Sequence, residues 1–522
     1  MSFWQRSNDL AARYADASAA CLVLLGFFHR LHVAYKTFLT PEEAFQILAA
    51  VNADAEQMLA HPIIYTHPPL SFFLYRLVAS LGNSDFLLRL PFAVAGAALP
   101  LIAYLWLKRL HGPTAAWIGM FVLLMAPNLF FLGWQARGYI LALLGMAVAL
   151  WAVEEALARN SALWMAAAMV GLCAALLSEY MAVWFWAALG VYVLLRFRSG
   201  PPARLLFTVW AAGQAAALLL VGWLQLLRAA RIPAGAGLAK IAYPQPYLSD
   251  QYPAPGENPL AFFAGNTVDF FAYLFSSGAA GVMALSAFAA AIALLSTGRL
   301  KAVARHRALV VLFLMPFLLA GAAAAPRLHP YGGTRHSTHL ALFAVAGIAI
   351  ALAPLFERRP AAMMALAAVL TPFWYLRGPT DLAAVPTGHI LRRPLLASLE
   401  YLRREVPAGS VILTDAESRL VLSYYLDPES PWPRGIGRDE ESVGGYVFYA
   451  PRWTFSGFAD IREDLSLMRR RYNISPEQPV WGIDTGFICG ACLELRGNPA
   501  LRDSLDAAEV FGLGTAVFSI RD

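Results

Sequence analysis

Eleven apolar runs recur along the first 376 residues of this 522-residue chain, and they leave few folds open to it. They fall at 17–35, 86–107, 114–134, 138–157, 162–178, 181–197, 204–227, 268–297, 308–325, 337–356 and 361–376. Their lengths bracket the ~20 residues that an α-helix needs to cross the hydrocarbon core of a bilayer. No water pairs with the backbone in hydrocarbon, so each amide must be satisfied inside its own segment, and such a run is a helix. The expected fold is therefore mainly α, a polytopic membrane protein of about 11 transmembrane helices. The composition agrees, at 59% hydrophobic and 14% charged, where a soluble domain is nearer half apolar and a quarter charged. The net charge of +6 does not imply nucleic acid. The basic residues lie in short loops between the runs, where membrane topology accounts for them.

Those loops also set an orientation. Lys108–Arg109, Arg159, Arg196–Arg198–Arg204, Arg299–Lys301–Arg305–Arg307 and Arg358–Arg359 alternate with loops that are not enriched in basic residues. The basic set, together with the N-terminal Arg6 and Arg13, reads as cytoplasmic. The opposite, outer side carries the long loops at 36–85 and 228–267, "QARGY", "SEY" and "HPYGGTRHS". An odd number of crossings places the tail there too. The first run is broken by His29, Arg30 and His32 and is followed by no small-residue cleavage site, so it reads as an uncleaved membrane helix. The expected location is the inner, or plasma, membrane, with the polar loops and the tail on the periplasmic face.

At about residue 377 the character changes: charge rises and long apolar runs stop. "SVILTD" reads as a buried strand ending in a polar loop, "SRLVLSYYL" as a helix packed on it, and "LASLEYLRREVP" as a second helix from the spacing of Leu399, Leu402 and Val406. The division expected is thus a transmembrane domain at 1–376 and a small C-terminal α/β outer domain at 377–522. In the first outer loop, "TPEEAFQILAAVNAD" spaces Ala44, Ile47, Leu48 and Val51 as an amphipathic helix suited to the membrane interface. "HPPLSFFLYRLVASLG" follows as a second short helix, with its proline pair at the start, where proline is tolerated.

Four cysteines are present. Cys21 and Cys173 lie in apolar runs and read as small core residues. Cys489 and Cys492 form the one close pair. A lone CxxC is a disulfide, half a zinc site or a redox pair. No second CxxC or histidine pair completes a zinc site, and outside the cytosol a disulfide is the expected form.

The polar residues that carry chemistry sit at the outer boundary. Glu42 and Glu43 follow Thr40 and Pro41, and Thr40-x-x-Glu43 is a capping box whose acids suit the start of a helix. The same pair offers a general base able to take the proton from an attacking hydroxyl. The two readings are compatible, because a cap fixes a side chain in place. Arg137 and Tyr139 lie at one outer junction, and Arg335 and His336 open another run behind a Gly-Gly pair that permits close backbone approach. Either arginine alone is equally a boundary anchor; together they suggest anion binding, since the guanidinium fork matches a phosphate. Glu179 and Tyr180 interrupt two apolar runs and are either solvated or turned toward a cavity. His67 precedes Pro68-Pro69 and either caps its helix or bonds a substrate. His61 and His67 lack a matched third ligand, and no Asp-x-Asp cluster occurs in the first loop, so no metal is expected.

Taken in order, "TPEEAF", "HPPLSFFLYRL", "SDFLLRLPFAVAGAALPLIAYLWLKRLHG", "WQARGYIL" and "TRHSTHLALFA" resemble the GT-C superfamily of membrane glycosyltransferases. The likeness is nearest to the bacterial branch related to protein O-mannosyltransferases and the lipid A aminoarabinose transferase. Glu42-Glu43-Ala44-Phe45 stands where the family carries an Asp-Glu-Ala-Tyr-like motif, His67 to Leu70 matches its His-Pro-Pro-Leu, and Arg137 to Tyr139 its Arg-x-Tyr. Arg335-His336 stands where the family has Arg-Tyr. The resemblance covers residues 20–200 well and 320–356 loosely.

It implies a sugar donor carried on a polyprenyl phosphate, no other cofactor, and a glycan, lipid or protein acceptor. The acceptor hydroxyl attacks the anomeric carbon in one inverting displacement, with Glu42 or Glu43 as base. Arg137 and Arg335 meet the departing phosphate, and His67, Tyr139, Glu179, Tyr180 and His336 line the substrate site. Two departures bear on this: Glu42 replaces the family's aspartate, one methylene shorter, and His336 replaces a tyrosine. A transporter or lipid flippase is the competing class; such proteins carry internal repeats and broken helices at the midplane, whereas here no repeat is found and the candidate polar residues sit at the outer boundary. A non-catalytic assembly or sensor protein would use the tail and dispense with Glu42 and Glu43.

Overall fold

The computed structural model describes residues 3–52, 54, 56, 67–200, 202–231, 246–298, 306–377, 389–428, 439–455, 457–485, 494–495, 497–503 and 505–521. Among them, eight helices are long and apolar enough to cross a membrane: Ala15–Lys36, Asp85–His111, Gly138–Arg159, Ala182–Ser199, Arg204–Leu226, Gly278–Ser296, Arg307–Ala324 and Arg335–Phe356. Three further expected runs are shorter apolar helices, at Pro113–Met125, Ala162–Ser178 and Pro360–Pro372.

Two runs are divided where side chains or proline compete with the helix. Pro127 ends the helix that begins at Pro113, since its predecessor Ala126 is held extended at φ −66 and ψ 115; a short helix, Pro127–Leu132, follows. The run expected at 268–297 is two helices, Pro259–Phe275 and Gly278–Ser296. Ser276 turns left-handed at φ 49, and the Ser277 hydroxyl accepts from the Ala280 amide to start the next helix. Cys173 is half-buried, but Cys21 is exposed on its helix rather than packed in a core.

The described residues fall into two compact units. The first comprises Met1–Leu31, Pro62–Ser71 and Leu90–Ala383. Its helix Gly138–Arg159 is 22 residues long, about 33 Å at 1.5 Å per residue, enough to span a bilayer. One end gathers the basic loops: Arg159 and Arg109 meet Glu155 at 2.6 and 3.7 Å, and Arg196 meets Glu154 at 2.9 Å. The other end of the same helix begins at Arg137.

The second unit comprises His32–His61, Phe72–Arg89 and Ala384–Asp522. Its sheet has strands β1 (Val411–Leu413), β2 (Glu440–Val443), β3 (Tyr446–Tyr449), β4 (Val480–Asp484), β5 (Ala507–Phe511) and β6 (Thr515–Ile520), in the order β2-β3-β1-β4-β6-β5. β1 runs parallel to β3 and β4, with Ile412 opposite Phe448 and Trp481, and the remaining pairings are antiparallel. Buried on both faces, β1 is a short continuous apolar run, as a central parallel strand must be. The helix Phe458–Tyr472 lays Phe458, Ile461, Leu465 and Met468 against Leu413, Val480 and Phe518. The helices expected in the tail are present at Arg392–Glu405 and Ala416–Leu426. In this unit the first-loop helix Pro41–Val51 is buried at eight of its eleven residues, so its apolar side is covered by protein.

Candidate active site

In the first unit, four chain segments bring the sequence-selected residues to one end of the helices. Arg137 is the cap residue before Gly138–Arg159, extended at φ −142 and only 2% exposed. Its Nη2 lies 3.3 Å from His67 Nε2, just before the Pro68-Pro69 start of the helix Leu70–Ala79. The guanidinium sits 5.3 Å over the ring of Tyr139, which meets His336 edge-on at 6.1 Å. Arg335 and His336 open the 3-10 turn Arg335–Leu340; Thr334 caps it, accepting from the His336 amide at 3.1 Å and lying 2.8 Å from His336 Nδ1. Glu179 caps the end of Ala162–Ser178, and the half-buried Tyr180 and then Met181 lead from it into Ala182–Ser199.

Glu179 is the electrostatic centre of this cluster. It is 6% exposed, and among the described residues its Oε1 has no hydrogen-bond partner. Burial pushes its carboxyl up to about 8, against the downward pull of the Arg137 and Arg335 charges. Gly138 makes the arrangement possible: a Cβ there would lie 2.4 Å from the Ser178 carbonyl and 2.8 Å from Glu179 Oε1. The Gly332-Gly333 pair serves a different approach from the one its sequence suggests. A Cβ on Gly332, at φ +137, would meet Asn266 Oδ1 at 2.2 Å, and one on Gly333 the Asp269 carbonyl at 2.9 Å. The pair seats the Arg335 turn against the helix Pro259–Phe275.

The second unit holds the two carboxylates. The capping box is complete: Glu43 N donates to Thr40 Oγ1 at 3.4 Å, and Thr40 N to Glu43 Oε2 at 2.8 Å. Glu43 is also gripped by Arg89, Nε to Oε1 at 2.8 Å and Nη2 to Oε2 at 2.5 Å, with both side chains fully buried. Arg89 donates further to the carbonyls of Ala34, Thr37 and Phe38 and to Thr37 Oγ1. A fork so fully used is a structural clamp. Glu42, its neighbour on the helix, is half-buried.

Arg89 is the residue that sequence reasoning passed over. It sits four positions into an apolar run, and an arginine there needs a partner; the preceding acidic pair supplies it. Among the described residues no group of three or more His, Cys, Asp or Glu is placed to hold a metal. Cys489 and Cys492 lie outside the described residues.

A family model described as dolichyl-phosphate-mannose-protein mannosyltransferase matches residues 66–224, a stretch that contains His67, Arg137, Tyr139, Glu179 and Tyr180. The chain is similar in structure to ArnT from Cupriavidus metallidurans. The form bound to undecaprenyl phosphate is 13% identical, with 96% of this chain and 97% of that chain covered and a TM-score of 0.50. The apo form is 13% identical, with 98% of each chain covered and a TM-score of 0.51. AglB, the archaeal oligosaccharyltransferase from Archaeoglobus fulgidus solved with an inhibitory peptide and a dolichol-phosphate, is 13% identical over 92% of this chain and 70% of that one, with a TM-score of 0.47. No curated protein matches the sequence. The fold is ArnT-like.

Proposed function

We propose that this protein is an inverting glycosyltransferase. It moves a hexosyl or pentosyl group from a polyprenyl-phosphate donor to a hydroxyl on lipid A, an envelope glycan or a protein, at the outer face of the plasma membrane. The observation that carries this reading is the cluster in which buried Arg137, with His67 beside it, and half-buried Arg335 act on buried Glu179, in a fold of which one member was solved holding undecaprenyl phosphate. In the proposed step the acceptor oxygen bonds to the anomeric carbon as the bond from that carbon to the phosphate oxygen breaks. The electron pair leaves on the lipid phosphate and the hydroxyl proton passes to Glu42. Arg137 and Arg335 carry the charge that develops on the phosphate; in many enzymes, fixed donors aimed at developing charge supply most of the rate enhancement. Tyr139 and His336 hold the arginines in place, and His67 bonds the donor.

Two outcomes follow for the donor site. Arg335→Ala lowers transfer about 10²-fold, the usual cost of losing one such donor, and Arg335→Lys restores only part of it because the fork is lost. Transfer from a polyprenyl-phosphate sugar to membrane acceptors measures this, and full activity in Arg335→Ala would remove the arginine from the mechanism. The second concerns pH. Glu179 is neutral below about 8 and ionised above it, and an ionised carboxylate competes with phosphate for the two arginines. Affinity for polyprenyl phosphate therefore falls as pH rises through 8, by at most ~10-fold per unit. Glu179→Gln flattens that fall between pH 7 and 9 in a titration of binding; an unchanged profile in the variant would assign the pH response elsewhere.

A further inference from the structure

The segment that delivers the carboxylate pair, Thr37–Thr40, is held from the C-terminal part of the second unit. Phe38 N donates to the Ile390 carbonyl at 2.9 Å, and Thr37 pairs with Leu391 in an antiparallel bridge. Leu39 N donates to the hydroxyl of Tyr425 at 3.0 Å. That hydroxyl donates in turn to Asp85 Oδ2, while Asp85 Oδ1 accepts from Arg392 and from the Phe86 amide. Asp85 is buried, and the Arg392 guanidinium packs 5.5 Å over the ring of Tyr35. One phenol oxygen thus joins the helix Ala416–Leu426, the start of the helix Asp85–His111 and the backbone one residue before the Thr40 cap. Neighbouring Tyr424 makes a different bond, to the Asn83 carbonyl at 2.8 Å.

Arg89 and the capping box hold Glu43, the carbonyls of Thr37 and Phe38 and the Thr40 amide, and the Tyr425 hydroxyl holds the Leu39 amide that lies between them. The Leu39 amide lies three residues ahead of Glu42, and its hydrogen bond sets how the chain turns into Thr40 and Pro41. A phenol fits this place because it accepts from an amide and donates to a carboxylate through one oxygen. Near-attack geometry tolerates little error, and a displacement of about 1 Å costs ~10²-fold.

We infer that Tyr425 is a positioning residue for the proposed transfer, holding Leu39 from the C-terminal sheet domain and thereby aiming Glu42. The inference rests on the function proposed above.

Two measurements on the full-length protein in nanodiscs test it. Amide hydrogen exchange reads the tie without reference to activity: Tyr425→Phe, which removes only the oxygen, loses protection across residues 38–42, while Tyr424→Phe keeps it. Kinetics with a polyprenyl-phosphate sugar read the positioning: in Tyr425→Phe kcat falls about 10- to 100-fold and donor KM stays within about twofold, with the unfolding temperature little changed. Asp85→Asn, which keeps an acceptor for the phenol, retains most of the rate. Unchanged exchange in Tyr425→Phe would overturn the tie, and lost protection with wild-type kcat would overturn the positioning role. A wild type inactive on every lipid-linked sugar, with the exchange pattern intact, would overturn the transferase reading and this inference together while leaving the tie standing.

Discussion

Glu42→Gln yields a folded protein whose sugar transfer drops by about 10²–10⁴-fold, the contribution of a well-placed general base. Glu43 cannot do this work in the observed arrangement. Its Oε2 accepts from Thr40 N and Arg89 Nη2, its Oε1 from Arg89 Nε, and the side chain is fully buried. A fully buried carboxylate whose two oxygens are engaged by an arginine fork and a backbone amide is not placed to meet an acceptor hydroxyl. Glu42 is one residue before it, rotated by ~100° about the helix axis and half-buried. Its side chain is one methylene longer than an aspartate's, which lengthens its reach. Transfer assays on the separate Gln variants decide the matter: a dead, folded Glu43→Gln beside an active Glu42→Gln would reverse the assignment, and full activity in both would end it.

The second large effect is on stability. Arg89→Ala, or Glu43→Ala, destabilises the protein by about 3–5 kcal/mol, because each leaves the other charge buried without its counter-ion. Arg89→Ala also strips three backbone carbonyls at Ala34, Thr37 and Phe38 of a donor. The double variant Arg89→Met with Glu43→Leu regains much of the loss, since apolar side chains of similar volume replace a buried pair at little cost. The capping contribution, of the order of 1 kcal/mol, stays lost. Thermal unfolding in detergent measures all three. Single variants within about 1 kcal/mol of the wild type, or a double variant worse than the sum of the singles, would mean that the pair does not act as a clamp.

Much of this was legible in the residues because membrane-spanning sequence is so constrained. Apolar length alone locates helices such as Gly138–Arg159 and Ala182–Ser199 within a residue or two. Thr40-Pro41-x-Glu43 announces its cap, and both halves of the box form. What escaped reading was set by partners distant in the chain. Arg89 looks like one basic residue in an apolar run until Glu43, 46 positions earlier, is seen beside it. Tyr425 meets Leu39 across 386 residues, and no periodicity reports such a contact. The apolar stripe of Pro41–Val51 reads as membrane-seeking because a sequence cannot distinguish lipid from a covering protein surface. The break at Ser276–Ser277 was missed because serine is neutral in composition but caps a helix once its hydroxyl turns back to the backbone.

The measurement that bears most directly on the central claim is mass spectrometry of polyprenyl-phosphate sugars in a deletion strain, complemented in parallel with the wild type and with Glu42→Gln. The expected result is one lipid-linked sugar that accumulates in the deletion, is cleared by the wild type and persists with Glu42→Gln. No change in any lipid-linked sugar on deletion, or clearance by Glu42→Gln at the wild-type rate, would contradict the account.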